Sequence, residues 1–401
     1  MTTPNILRSV WAVFVLLFVS LAWGASYKLL YTFATADEAP SGLVFDGAGN
    51  LYGTTYNGGA FNFGSVFELS PSAGGWTRTD LYSFTDGTDG ALPSPYQSLV
   101  FDTAGNLYGT TTENTRGVGE VFKLSPNGGT WTLSVLKIFK AGAPYGALVF
   151  DASGNLYGTI SNASGTVFEM SPASGGSWNY RILHTFKRFT RDGADPFAAL
   201  AFDSSGNLYG TTRDGGDASN CGALGCGTVF KFTPASGGTW HYRVIYRFKG
   251  GTDGKLPYAG VVSDSAGNLY GTTSEGGNEG CTIGSGGCGI VFELSPNSNG
   301  TYRETRIHLF TGPSKDGGAP NGGLILDHAG NLFGTTPFGG SLADGTVYKL
   351  TPTAGRWKET VLYNFGDNGD GGQPDAGLIS DSSGNLYGTT TIAPTAFEVT
   401  P

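Results

Sequence analysis

Apolar residues along this chain fall in short runs broken by polar and small positions, and no long stretch carries them at helical spacing. Gly, Asp, Asn and Pro interrupt the runs about every 8 to 15 residues, which predicts strands joined by turns. One unit holds four such runs. The first is Gly42-Leu43-Val44-Phe45, and the second is Asn50-Leu51-Tyr52-Gly53-Thr54-Thr55. The third, Gly64-Ser65-Val66-Phe67-Glu68-Leu69, is echoed at Val121-Phe122, Val167-Phe168, Val229-Phe230, Val291-Phe292 and Val347-Tyr348. The fourth begins near an aromatic (Trp76, Trp131, Trp178, Trp240, Tyr302 or Trp357) and ends in Leu-Tyr-x-Phe, as at Leu81-Tyr82-Ser83-Phe84.

The unit repeats. Gly-Asn-Leu-Tyr-Gly-Thr-Thr starts at Gly49, Gly105, Gly206, Gly267 and Gly384; near copies start at Gly154, with Ile160 for the last Thr, and at Gly330, with Phe333 for Tyr. Each copy follows an Asp by three residues: Asp46, Asp102, Asp151, Asp203, Asp264, Asp327 and Asp381. Successive copies lie 56, 49, 52, 61, 63 and 54 residues apart, so a fixed core carries elastic loops. Asp-x-x-Gly suits a type I turn, with the carboxylate on backbone amides and Gly at positive φ. A row of acids invites a metal or catalytic reading, but one tight turn per unit accounts for all seven.

Four-stranded units of about 54 residues fit blades, and the expected fold is an all-β, seven-bladed β-propeller. A β-solenoid is the alternative, with shorter and more regular coils. The last unit has Gly377 to Ser380, Asn385 to Thr390 and Phe397 to Val399, but no fourth run before Pro401. Leu30-Tyr31-Thr32-Phe33 supplies it, so the N-terminal segment is expected to close the ring on the last blade. In that order the Asp-x-x-Gly and Ser-Pro turns share one face. The longer second-to-third loops and the crossovers between blades share the other, where binding residues are expected.

Charged residues are 14% of the 401, against a usual quarter or so, and the 67 glycines recur in register as turn formers. A net charge of −9 argues against a nucleic-acid partner, which needs clustered Lys and Arg. Arg8, the apolar run Val10 to Leu21, and Ala22-Trp23-Gly24 read as a signal peptide over residues 1–24, with an uncleaved anchor as the alternative. Residues 25–401 would then form one propeller domain, secreted, periplasmic or at the cell surface, and monomeric.

Asp-x-x-Gly-Asn-Leu-Tyr-Gly-Thr-Thr, then Gly-Gly, then Gly-x-Val-Phe-x-Leu-Ser-Pro, resembles the GloVer tandem repeat of exported bacterial proteins, over essentially the whole chain after the signal. Such proteins often carry a C-terminal sorting or anchoring segment. This sequence stops after the third strand of its last repeat, without an apolar anchor. The resemblance implies no particular enzymatic activity.

Cys221 and Cys226 lie in one long loop, and Cys281 and Cys288 in the equivalent loop of the next unit. An even count in an exported chain points to disulfides, with local pairing the simplest of three connectivities and a four-thiolate zinc site the alternative. The crossovers carry Asp86, Asp89, Asp192, Asp253, Asp316, Asp367 and Asp370, mostly as Asp-Gly. Turn formation explains them; calcium is the one ion their oxygens suggest, though a closing Glu is missing. His184, His241, His308 and His328 do not read as one cluster, and no other cofactor motif is present. The repeated Tyr and Trp suit inter-blade packing, with sugar stacking as the alternative. Two classes of function remain. One is a non-catalytic exterior module binding a protein or glycan. The other is an enzyme at the channel mouth, such as a metal-dependent lactonase, lyase or glycan-acting hydrolase.

Overall fold

The computed structural model describes residues 24–401 apart from 35–38, 97, 115, 163, 279, 282, 284, 285, 367 and 368. Nearly all of the expected signal segment, and Asp367, therefore lie outside the described residues. The rest form a seven-bladed β-propeller of four-stranded antiparallel blades. Blade one comprises Val44–Phe45, Leu51–Thr55, Ser65–Ser72 and Gly75–Ser83. Blades two to six keep that order, beginning at Val100–Phe101, Val149–Phe150, Ala201–Phe202, Val262–Ser263 and Ile325–Leu326. No helix among the described residues is long and apolar enough to cross a membrane.

The repeat motif folds as it does because each position has a bonding or packing partner. In blade one, Asp46 Oδ1 accepts the backbone N–H groups of Ala48 and Asn50, both at 2.9 Å. Its Oδ2 accepts the Asn50 amide at 2.8 Å and the Tyr52 hydroxyl at 3.2 Å. Asp327 keeps only the first three of these bonds, because Phe333 brings no hydroxyl. A Cβ on Gly53 would sit 2.7 Å from the Phe67 ring, so the close approach of second and third strands requires glycine.

The two threonines stitch in different directions. In five blades the first donates to a carbonyl of the next blade, as Thr110 to Pro144 at 3.1 Å, Thr211 to Ala259 at 2.8 Å and Thr389 to Ser41 at 2.9 Å, whereas the Thr272 hydroxyl of blade five has no partner among the described residues. The second pairs with a hydroxyl on its own third strand, as Thr55 with Ser65 at 3.0 Å and Thr212 with Thr228 at 2.8 Å. Ile160 breaks that pair in blade three, and Glu120 and Ile290 replace the third-strand hydroxyl in blades two and five; the buried Thr111 and Thr166 hydroxyls have no partner among the described residues.

Seven apolar clusters fill the seams between blades. One joins Tyr52, Val66 and Phe84 of blade one to Leu99, Leu107 and Phe122 of blade two. Blade seven comprises Ile379–Ser380, Leu386–Thr389 and Thr395–Thr400, and its outer strand is Ser26–Thr32. The two ends pair antiparallel from Ser26 with Thr400 to Thr32 with Thr395. The ring closes as the sequence suggests, with a longer strand than Leu30–Phe33 alone. Leu30 and Phe33 are buried, and Tyr27 stacks on Tyr363 of blade six at 4.1 Å.

Candidate functional site

Each crossover from blade two onward reaches the channel through a proline, and the residue after it begins the lead into the next first strand. In blades three to seven these pairs are Pro144-Tyr145, Pro196-Phe197, Pro257-Tyr258, Pro320-Asn321 and Pro374-Asp375. Two small residues follow in every case: Gly146-Ala147, Ala198-Ala199, Ala259-Gly260, Gly322-Gly323 and Ala376-Gly377. The first strands end at the Asp turns, so their beginnings lie on the opposite, crossover face. There the small residues leave a cavity of about 840 Å³ at the channel mouth. Phe197, Tyr258 and Asn321 line it, and Arg213, Glu275 and Phe338 reach it from the second-to-third loops.

The wall is two-sided. Tyr145 and Phe197 stack at 4.7 Å, and Phe197 meets Tyr258 edge to face at 5.7 Å. Blade two has a lead-in two residues longer, from Pro93, and presents Tyr96 at the rim, 55% exposed. On the other side, Asn321, which lines the cavity, donates to Asp375 Oδ1 at 3.1 Å, and Thr391 donates to Oδ2 at 3.2 Å. Burial pushes the Asp375 carboxyl above its ordinary range despite both bonds. Arg213 lies 5.4 Å from the Phe197 ring centre and 5.7 Å from that of Tyr258. Its guanidinium is held by Asp214 at 3.1 Å and Asp195 at 3.4 Å, and Lys255 pairs with Glu275 at 2.9 Å.

The crossover aspartates lie on this face, but the carboxylates of Asp89, Asp192, Asp253, Asp316 and Asp370 are bound by the chain itself. Asp89 accepts from the Tyr82 hydroxyl at 2.9 Å and from the Thr85 hydroxyl and N–H. Asp253 accepts from Tyr246 at 2.6 Å, and Asp370 from Tyr363 at 2.7 Å. His184 and His308 take the tyrosine's place and donate to Asp192 at 3.0 Å and Asp316 at 2.9 Å. The aromatic of Leu-Tyr-x-Phe thus tethers the crossover that follows it. Asp86 is half-buried at a φ of 57°. No group of three His, Cys, Asp or Glu among the described residues could hold a metal ion.

The cysteines join locally, Cys221 with Cys226 and Cys281 with Cys288, at Cα separations of 5.3 and 5.7 Å. The second loop carries Ile283 to the mouth wall, so this bond borders the cavity. The aromatic arc itself was not singled out in the sequence. Its signal was there: the residue after the crossover proline changes from Tyr or Phe to Asn and Asp around the ring, while its neighbours stay small.

A family profile described as the Gloeobacter/Verrucomicrobia repeat matches residues 17–224 and 218–397. No curated protein matches the chain. Among solved structures, it is similar to the extracellular domain of a B. thetaiotaomicron protein assigned as a one-component system, with a TM-score of 0.55 and 10% identity over 92% of this chain. That match spans only 39% of the other chain's length. A Bacteroides uniformis protein assigned as a 6-phosphogluconolactonase matches with a TM-score of 0.50 and 16% identity, covering 79% of this chain and 83% of its own. A Lactobacillus plantarum protein gives 0.52 and 14%, covering 84% and 91%. At these identities the likeness concerns the fold.

Proposed function

The chain belongs to the Gloeobacter/Verrucomicrobia repeat family, and from that premise we propose that it is an exported, non-catalytic binding module that takes its ligand at the channel mouth of the crossover face. The observation that carries this reading is the convergence of non-repeated side chains there. The Asp-x-x-Gly-Asn-Leu-Tyr-Gly-Thr-Thr motif is nearly invariant around the ring, whereas the mouth-lining Phe197, Tyr258 and Asn321 differ in chemistry at one repeat position, which Tyr145 and Asp375 occupy in blades three and seven. A rigid ring with one variable, concave patch is the form of a recognition site. The paired charges of Arg213 and Lys255 favour binding over acid–base chemistry. The disulfides and the apolar N-terminal run support a place outside the cytoplasm, and the closed ring supports a monomer.

Gly323 lines the cavity, and a Cβ there meets nothing within 4 Å, so Gly323→Trp is directed into the mouth, with a melting curve to confirm that the variant folds. The test is a thermal-shift screen of a mixed library of oligosaccharides, peptides, nucleotides and organic acids. The expected result is a compound that raises the Tm of the native protein, leaves Gly323→Trp unmoved and is recovered intact. A compound consumed at the mouth would establish the enzyme reading instead. Compounds that shift both proteins equally would remove the mouth as the site.

A further inference from the structure

Resting on the channel-mouth reading, we infer that the ligand class is an uncharged saccharide chain, stacked on the aromatic wall of Phe197 and Tyr258 and hydrogen-bonded by Asn321, which Asp375 holds in place. The charges at the mouth come first. Arg213 is compensated by Asp195 and Asp214, and Lys255 by Glu275. A phosphate, sulfate or uronate would have to break one of these pairs to gain a cation, against a chain of net charge −9. A cationic ligand would need an ionised carboxylate to spare. Asp375 is already engaged by Asn321 and Thr391, and its burial disfavours the charge.

An apolar ligand fits no better, because it would cover the polar amide of Asn321, which lines the cavity, and offer it nothing in return. What remains is a ligand that is apolar on one side and rich in neutral hydrogen-bonding groups on another. A sugar ring has that form. Its C–H face packs against the electron-rich face of an aromatic ring, and its hydroxyls suit a side-chain amide, which both donates and accepts. The aromatics of the mouth also differ from those that pack the seams. Phe84 and Phe122 are wholly buried, whereas Tyr145, Phe197 and Tyr258 are half-buried and Tyr96 stands 55% exposed at the rim. Tyr96 prolongs the arc outward, which suits a chain running past the mouth rather than a single ring.

Isothermal titration of the full chain with cellohexaose, xylohexaose, mannohexaose and hexagalacturonate tests this. At least one neutral hexasaccharide should bind, with affinity nearly constant between about 50 and 500 mM salt. Tyr258→Ala and Asn321→Ala should each weaken it at least about tenfold, with melting curves confirming that both variants fold. Tighter, salt-sensitive binding of hexagalacturonate would overturn the uncharged class. So would silence from all three neutral chains at millimolar concentration; neither result touches a binding module that responds to another compound in the mixed library. Saccharide binding that survives Gly323→Trp would instead overturn the mouth as its seat.

Discussion

Asp102 accepts four hydrogen bonds: from the N–H groups of Ala104 and Asn106, the Asn106 amide and the Tyr108 hydroxyl. The turn, the start of the second strand and the inner end of the seam aromatic are therefore held by one carboxylate. Asp102→Ala should lower stability by about 0.5 to 2 kcal/mol, the scale of losing local side-chain-to-backbone bonds at a partly exposed turn, without altering ligand binding. Equilibrium denaturation checks the first part and titration with a bound compound the second; loss of binding at unchanged stability would assign these aspartates a functional role. The Asp side of this box is legible in the sequence, because Asp and Gly at turn positions have few other uses. The roles of Asn106 and Tyr108 are not, since Asn and Tyr are equally at home on a polar edge and in a core. Only the fold brings them back to the carboxylate.

At the scale of the element, the N-terminal strand contributes both backbone pairing and a packed surface. Residues 25–33 cover the edge of Thr395–Thr400 and bury Leu30 and Phe33, each worth about 1.5 to 3 kcal/mol when fully withdrawn from water. They also place Tyr27 against Tyr363, with its hydroxyl on the Asp370 carbonyl at 3.1 Å. Deleting 25–33 should lower the Tm sharply and cause self-association through the exposed edge; melting and sizing chromatography read both. An unchanged Tm and a clean monomer would show that the strand is dispensable. This element can be found from sequence because the last repeat visibly lacks a strand. The channel mouth cannot be found in that way. Its residues are 52 to 63 positions apart, and their convergence is a property of the closed ring. The tether between Tyr82 and Asp89 is hidden for a different reason: Asp-Gly already makes sense as a turn, so nothing signals a second partner.

For the whole molecule, two sets of carboxyls act in opposite directions as pH changes. Burial alone would raise Asp46, Asp102, Asp203 and Asp381, but hydrogen bonds from the neighbouring Asn side chain and backbone outweigh it and hold them below their ordinary value. Their contribution is complete above the unfolded value of about 3.9 and is lost as pH falls below it. Glu304 is the reverse. Burial, and secondarily Asp253, push it up to about 7, and its Oε1 is buried without a partner among the described residues. The folded state holds that proton more tightly than the unfolded chain, so stability falls as pH rises from about 4.5 through 7. Stability should therefore peak near pH 4 to 5, on the order of the two reference values, and Glu304→Gln should flatten the neutral limb of the curve. Denaturation midpoints across pH check this, and an unchanged neutral limb would count against it. The mouth exists only if seven blades close through the two chain ends, and cross-linking those ends tests that closure most directly. Lys28 and Glu398 face each other in register. With Lys28→Cys and Glu398→Cys introduced together and mild oxidation, non-reducing peptide mapping should find residues 28 and 398 joined within one monomer. Free thiols at both positions, or a link only between molecules, would contradict the closed ring.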